Sequence, residues 1–136
     1  MKEILDSRFF LTHYASKDEK ILARTREKLS RLRRDRRGII PSIVIAELTN
    51  LVCRVGGKEK ALAQVRALEH SGLEIAPLDA SLARDAGLLR CELRDLPIAD
   101  CVIAVTALRG KGVVVTDDPH FSKVKGLRTT WIRDGS

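Results

Sequence analysis

The chain has 136 residues, which is the size of one domain and enough to bury a substantial core without disulfides or structural metal. Apolar residues make up 44% and charged residues 32%, which excludes a disordered tail, a low-complexity protein and a collagen-like chain. A formal net charge of +7 favours a polyanionic partner, either a nucleic acid or an acidic protein.

The cysteines indicate a reducing compartment. Cys53, Cys91 and Cys101 are odd in number, form no CxxC pair and lie in apolar stretches, so we expect reduced, buried thiols in a cytoplasmic protein. No leader-like start and no run of eighteen apolar residues is present, so neither secretion nor membrane spanning is expected.

The hydrophobic periodicity predicts strands alternating with helices. In chain order we predict a strand at 2–6, helices at 7–15 and 18–36, a strand at 38–40, helices at 41–55 and 58–70, a strand at 73–76, helices at 79–94 and 97–110, and strands at 112–116 and 129–132. Asp79 is expected to be an N-cap. This alternation predicts a three-layer α/β/α sandwich with a central parallel sheet, in a single domain spanning 1–136.

Acidic residues interrupt four apolar runs, at Asp6, Glu47, Asp100 and the pair Asp117-Asp118. An ionised carboxylate is costly to bury unless it has a partner, and no basic residue adjoins these acids in an apolar run. In a parallel α/β sheet, ligand sites gather at the carboxyl ends of the strands, where the following helices begin.

The predicted topology brings the four acids to that edge. Asp6 and Asp118 follow strands, and Asp100 lies in the first turn of a helix that leads back into the sheet. Glu47 is five residues past Ser42, about 7.5 Å along its helix at 1.5 Å per residue, within reach of the same edge. We therefore expect one acidic pocket.

An all-oxygen cluster of this kind suits Mg²⁺ or Mn²⁺, which bind through a few carboxylates and substrate phosphate. Such an ion activates water for phosphodiester hydrolysis. Each acid also has a structural interpretation: Asp6 as a helix cap, Asp100 as a complement to the helix dipole, Asp118 as a turn residue and Glu47 as part of a solvated helix edge.

Several motifs resemble, in order, those of PIN-domain ribonucleases, especially VapC-type toxins of toxin–antitoxin systems. They are ILDS at 4–7, the helix carrying Glu47, LPIAD at 96–100 with AVTAL at 104–108, and VTDDPHF at 115–121. The resemblance covers residues 2–121, and the order and spacing of the motifs are more specific than any one of them.

The resemblance implies a PIN-like fold and a Mg²⁺- or Mn²⁺-dependent RNA endonuclease. It assigns Asp6, Glu47, Asp100 and Asp118 as the catalytic, metal-binding acids, and it selects Asp118 over Asp117 as the fourth. Thr116 and Asp117 would support the site. A small antitoxin and a homodimer are also implied. Arg8 departs from the small polar residue that is usual after the first acid, which bears on substrate preference.

A basic segment spans residues 24–37, where eight bases and two acids give a net charge of +6. It is either a solvated face with bases favoured by the helix dipole or an RNA-binding surface. The candidate RNA-binding residues are Arg24, Arg31, Arg33, Arg34 and Arg37.

Two other functions remain open from the residues alone. One is a non-catalytic RNA- or protein-binding module that uses the basic helix. The other is a receiver-like regulator with Asp6 or Asp118 as phosphoacceptor, which is disfavoured because no lysine follows the Thr116 strand in the expected place.

Overall fold

A computed structural model describes residues 1–132 of the chain. Within them, a five-stranded parallel sheet in the order β3-β2-β1-β4-β5 is packed with helices. In chain order the elements are β1 (Glu3–Leu5), α1 (Ser7–Ala15), α2 (Glu19–Asp35), β2 (Gly38–Pro41), α3 (Ser42–Gly56), α4 (Lys58–Glu69), β3 (Glu74–Ala76), α5 (Ala80–Glu92), α6 (Ile98–Arg109), β4 (Val113–Val115), a 3₁₀ turn (Pro119–Lys123) and β5 (Arg128–Thr130). The predicted α/β/α class is confirmed.

Helix boundaries follow the capping chemistry of the sequence. The Asp79 carboxylate accepts a hydrogen bond from the Leu82 N–H at 2.8 Å, which confirms the predicted N-cap of α5. Gly57 ends α3 with a φ of 92°, a conformation that only glycine adopts without strain. β5 is the least accurate prediction, because it begins and ends earlier than the expected 129–132.

The register of the central strands aligns their ends. In β1, Leu5 lies opposite Val115 of β4, and Glu3 lies opposite both Gly38 of β2 and Val113 of β4. The residues that follow Leu5 and Val115 therefore leave the sheet together at its carboxyl edge, whereas Glu3 marks the amino edge.

The core centres on β1, β4 and α6. Ile4, Leu5, Val114 and Val115 are fully buried, and six of the twelve residues of α6 are buried. No helix within residues 1–132 is both long and apolar enough to cross a membrane.

The prediction of three buried thiols is wrong for two of them. Cys101 of α6 is buried, but Cys53 and Cys91 are exposed; all three are free. Both exposed thiols lie in the last turns of amphipathic helices, where apolar neighbours in sequence do not imply burial, as Val55 shows by being 91% exposed.

Candidate active site at the carboxyl edge of the sheet

Asp6 is the most buried of the predicted site acids, with 2% of the residue exposed. One of its carboxylate oxygens accepts the Ser7 N–H at 2.7 Å, which caps α1. The other accepts the Thr116 hydroxyl at 2.7 Å. Burial raises the pKa of Asp6 above its usual value even though these hydrogen bonds oppose the shift. Asp6 is thus both a helix cap and a member of a buried polar cluster.

Thr116 connects Asp6 to the acid that follows β4. Its hydroxyl donates to Asp6 and accepts the Asp118 N–H at 3.1 Å, and the residue is 4% exposed. The Asp118 carboxylate in turn accepts the His120 N–H at 2.9 Å and lies 2.8 Å from the ring Nδ1 of His120. Thr116 therefore holds the loop after β4 against the end of β1.

Asp100 shows most directly that the acids share one neighbourhood. Its pKa is raised to about 7, first by burial and then by the negative charges of Asp6, Asp118 and Glu47, while His120 opposes the shift. The residue lies in the first turn of α6, three residues after Pro97, which is the N-cap residue of the helix. The negative charges of Asp6, Glu47 and Asp118 thus all act on Asp100.

Glu47 reaches the cluster from the second turn of α3. Its pKa is raised by burial and then by the negative charge of Asp6, and the nearby Ser7 side chain opposes the shift. Within residues 1–132 its Oε1 atom is buried and has no hydrogen-bond partner. A buried carboxylate oxygen without a donor is unfavourable, so this atom has an unused capacity to accept a donor or bind a cation.

Asp117 has a different environment from Asp118. It forms an ion pair with Arg8 of α1, and both side chains are about half exposed. Asp118 contributes to the raised pKa values of Asp6 and Asp100, whereas Asp117 does not. The geometry groups Asp118 with the buried acids and turns Asp117 toward Arg8 at the rim.

The four acids are neighbours, but they are not preassembled around one point. No group of three or more His, Cys, Asp or Glu side chains among residues 1–132 is arranged to hold a metal ion directly. The donor set nevertheless suits a hard divalent cation. It consists of carboxylate oxygens, it is electrostatically destabilised, and it includes the unpartnered Oε1 of Glu47.

The basic segment lies elsewhere. Arg31 and Arg37 line a cavity with Glu3, and Arg33 lines a second cavity with Lys2 and Glu74. Glu3, Lys2 and Glu74 begin or precede strands, so these arginines lie at the amino edge of the sheet, opposite the acids. Arg34 is exposed, with its Nε atom 3.7 Å from Asp35, and Arg24 is partly buried on α2.

Two residues at these sites were missed by the sequence reasoning. Ser7 contributes both its N–H and its hydroxyl to Asp6, and its position directly after a strand-ending acid is the signal that indicates a cap. Lys28 is buried and pairs with Glu3 at 2.6 Å. Its position within a helical apolar stripe gives no sign that an acid 25 residues away would meet it.

Comparison with known proteins identifies the family and related folds. The sequence matches the family model described as PIN domain over residues 4–127. The fold is similar to that of DNA-bound VapBC from Salmonella typhimurium, with a TM-score of 0.79, 27% identity, and coverage of 98% of this chain and 99% of that one. The fold is also similar to that of VapBC2 from Rickettsia felis bound to promoter DNA. The TM-score is 0.77 at 23% identity, with coverage of 98% of this chain and 100% of that one.

Mycobacterium tuberculosis VapC20, described as a sarcin–ricin loop cleaving toxin, is a more distant match. Its TM-score is 0.67 at 18% identity, with coverage of 89% of this chain and 93% of that one. Comparison with curated proteins found no match. A family match over most of the chain, the parallel sheet and the acids at its carboxyl edge lead to one conclusion: this chain belongs to the PIN domain family and is structurally similar to VapC toxins.

Proposed function

We propose that the chain is a metal-dependent endoribonuclease of the VapC type, which hydrolyses phosphodiester bonds at the carboxyl edge of the sheet. VapC toxins of the PIN domain family are typically ribonucleases, and one structural relative is described as cleaving the sarcin–ricin loop. The observation that carries the proposal is the electrostatic coupling of Asp6, Glu47 and Asp118 to Asp100, whose pKa rises to about 7. Such coupling disfavours four ionised carboxylates unless a cation is bound.

The cation that fits this site is Mg²⁺ or Mn²⁺, held by Asp6, Glu47, Asp100 and Asp118. These ions prefer oxygen donors and retain several waters, so a few direct carboxylate contacts are sufficient and the remaining acids act through water. This accounts for a cluster that is close enough for coupling but not preassembled for direct coordination. When bound, the ion would lower the pKa of water and neutralise charge on the phosphate.

The protein's own contribution is to position the acids. Thr116 bonds both the Asp6 carboxylate and the Asp118 N–H, so the ends of β1 and β4 are held at a fixed separation. Arg8 keeps the Asp117 carboxylate at the rim and out of the acidic cluster. Preorganised donors avoid reorganisation when the substrate binds, so Thr116 is proposed as a positioning residue.

The proposed partners are an RNA substrate, a small antitoxin and a second copy of the chain. The Salmonella typhimurium relative is a VapBC complex, which supports an antitoxin. The homodimer rests on the resemblance to VapC toxins.

The test is cleavage of structured RNA by the wild type and by Asp100→Asn, with Mg²⁺ and with chelator. Asp95→Asn is a matched control, because its side chain is 85% exposed and lies on the loop that precedes α6. We expect cleavage by the wild type and by Asp95→Asn in Mg²⁺ only, and a loss of about a hundredfold or more in Asp100→Asn. Cleavage at equal rates in all three proteins, or cleavage indifferent to metal, would refute the proposal.

A second candidate is a non-catalytic nucleic-acid-binding module. One observation favours it: Arg31, Arg33 and Arg37 line cavities at the sheet edge opposite the acids. This function requires RNA binding in chelator without cleavage in any metal. The cleavage assay above therefore separates the two candidates.

A further inference from the structure

A concave, strongly basic cavity lies at the amino edge of the sheet. Its volume is about 490 Å³, and its charged side chains come from several elements: Glu3, Lys28, Arg31, Arg37 and Arg128. Four cations thus face one carboxylate. The cavity brings together α2, the start of β1 and β5, so it exists only in the folded chain.

The charges in this cavity are not balanced. Lys28 and Glu3 form a buried ion pair at 2.6 Å, with side chains 4% and 10% exposed, so each neutralises the other. Arg37 lies 3.9 Å from Glu3 and 3.6 Å from Asp35. No acid within residues 1–132 pairs with Arg31 or Arg128. Among the described residues, the positive charges of Arg31 and Arg128 are therefore not matched by an acid, and they lie beside the buried Lys28–Glu3 ion pair.

The hydrogen-bonding donors are also unsatisfied. Within the described residues, the Nε atoms of Arg31 and Arg37 are buried and have no acceptor. Buried donors without a partner are rare in folded proteins, and an ordered water or an anion is among the groups that satisfy them. A tetrahedral oxyanion has several acceptor oxygens, and a guanidinium group binds two of them through parallel N–H groups.

We propose that this cavity is a phosphate-binding site, in which Arg31 and Arg128 are the principal ligands and Arg37 the third. The site is distinct from the acidic cluster, because β1 separates the two edges by three residues, or about 10 Å at 3.3 Å per residue. It does not depend on the proposed nuclease activity. The phosphate comes either from free phosphate or a mononucleotide, or from a phosphodiester of RNA that passes over this edge.

The first experiment measures binding of inorganic phosphate in chelator by calorimetry, so that neither metal nor cleavage contributes. We compare the wild type with Arg31→Gln, Arg128→Gln and Arg54→Gln. Arg54 is an exposed arginine near the end of α3 that does not line the cavity, and its substitution removes the same charge. We expect Arg31→Gln and Arg128→Gln each to weaken binding by about tenfold or more, as for loss of a charged hydrogen bond, and Arg54→Gln to leave it unchanged.

The second experiment distinguishes the two sources. The binding of a fluorescent single-stranded RNA oligonucleotide is measured over a series of salt concentrations in chelator. If the phosphate belongs to RNA, Arg31→Gln and Arg128→Gln each reduce the salt slope by about 0.7. If it is free phosphate, both variants lose inorganic phosphate binding and bind RNA like the wild type.

Arg128 is exposed on an edge strand, so its substitution tests the site even if Arg31→Gln does not fold. The proposal is overturned if the folded Arg128→Gln variant binds phosphate and RNA as the wild type does. It is also overturned if Arg54→Gln causes an equal loss, because the effect would then be one of net charge. Neither result bears on metal-dependent cleavage at the acidic edge.

Discussion

Replacing Asp100 by Asn in the metal-free protein is expected to stabilise the fold at alkaline pH. The pKa of Asp100 is about 7 in the folded chain and 3.8 for the free group. Between these values the folded state binds more protons than the unfolded state, so stability falls as the pH rises through this window. Above pH 7 the full free-energy cost of ionising Asp100 in the folded state lowers the stability, and below pH 4 this cost is absent.

The size of the penalty follows from the shift. A difference of 3.2 between about 7 and 3.8, at 1.36 kcal/mol per unit, gives an upper limit of about 4 kcal/mol. Screening by solvent around this partly buried group lowers the expected value to about 2 kcal/mol. Asparagine cannot ionise, so the variant should lose this pH dependence.

The assay is urea denaturation of the wild type, Asp100→Asn and the exposed control Asp95→Asn, at pH 5 and pH 8 in chelator. Asp100→Asn should gain about 2 kcal/mol over the wild type at pH 8 and much less at pH 5. Saturating Mg²⁺, at a hundred times its Kd, should add about 2.7 kcal/mol to the wild type and less to the variant. A variant that is no more stable than the wild type at pH 8 would refute the reasoning about coupled carboxylates.

Three further changes test the packing. Thr116→Val removes the donor to the buried Asp6 carboxylate and should lower the free energy of unfolding, measured in urea, by about 1–3 kcal/mol. Thr116→Ser keeps the hydroxyl and should lose much less stability. Equal losses in the two variants would show that the hydroxyl is not the cause. Lys28→Met leaves the buried Glu3 with only the longer contact to Arg37 and should cost up to about 3 kcal/mol by denaturation. Adding Glu3→Gln should recover stability, and no recovery would contradict the pairing. Gly112→Ala places a Cβ 2.7 Å from a backbone carbonyl oxygen and should lower stability by about 1–3 kcal/mol, so a melting temperature equal to the wild type's would count against this close approach.

The secondary structure could be predicted well because its signals are local. Asp79 begins α5 and Gly57 ends α3, each through a contact with a residue only a few positions away in the chain. The bounds of β5 are predicted less accurately. A three-residue strand at the sheet edge has little periodicity, and where it begins and ends depends on its pairing with β4.

The neighbourhood of the four acids could also be predicted, because topology alone brings strand ends and helix starts to one edge. The protonation state of these acids could not be predicted from the sequence. The pKa of Asp100 depends on its burial and on the charges of three acids from other parts of the chain. Asp117 differs from Asp118 because it forms an ion pair with Arg8, which is distant in sequence.

The sequence by itself determined the order of the elements, the parallel α/β class and the family, since apolar periodicity, caps and motif spacing are properties of the chain read in order. Only the tertiary structure decided that Arg31, Arg33 and Arg37, at and after the end of α2, lie at the edge opposite the acids and that Lys28 pairs with Glu3. It also decided that Cys53 and Cys91 lie at the surface. The physical reason is that electrostatics and burial depend on distance in space, and register and helix rotation bring together residues far apart in the chain.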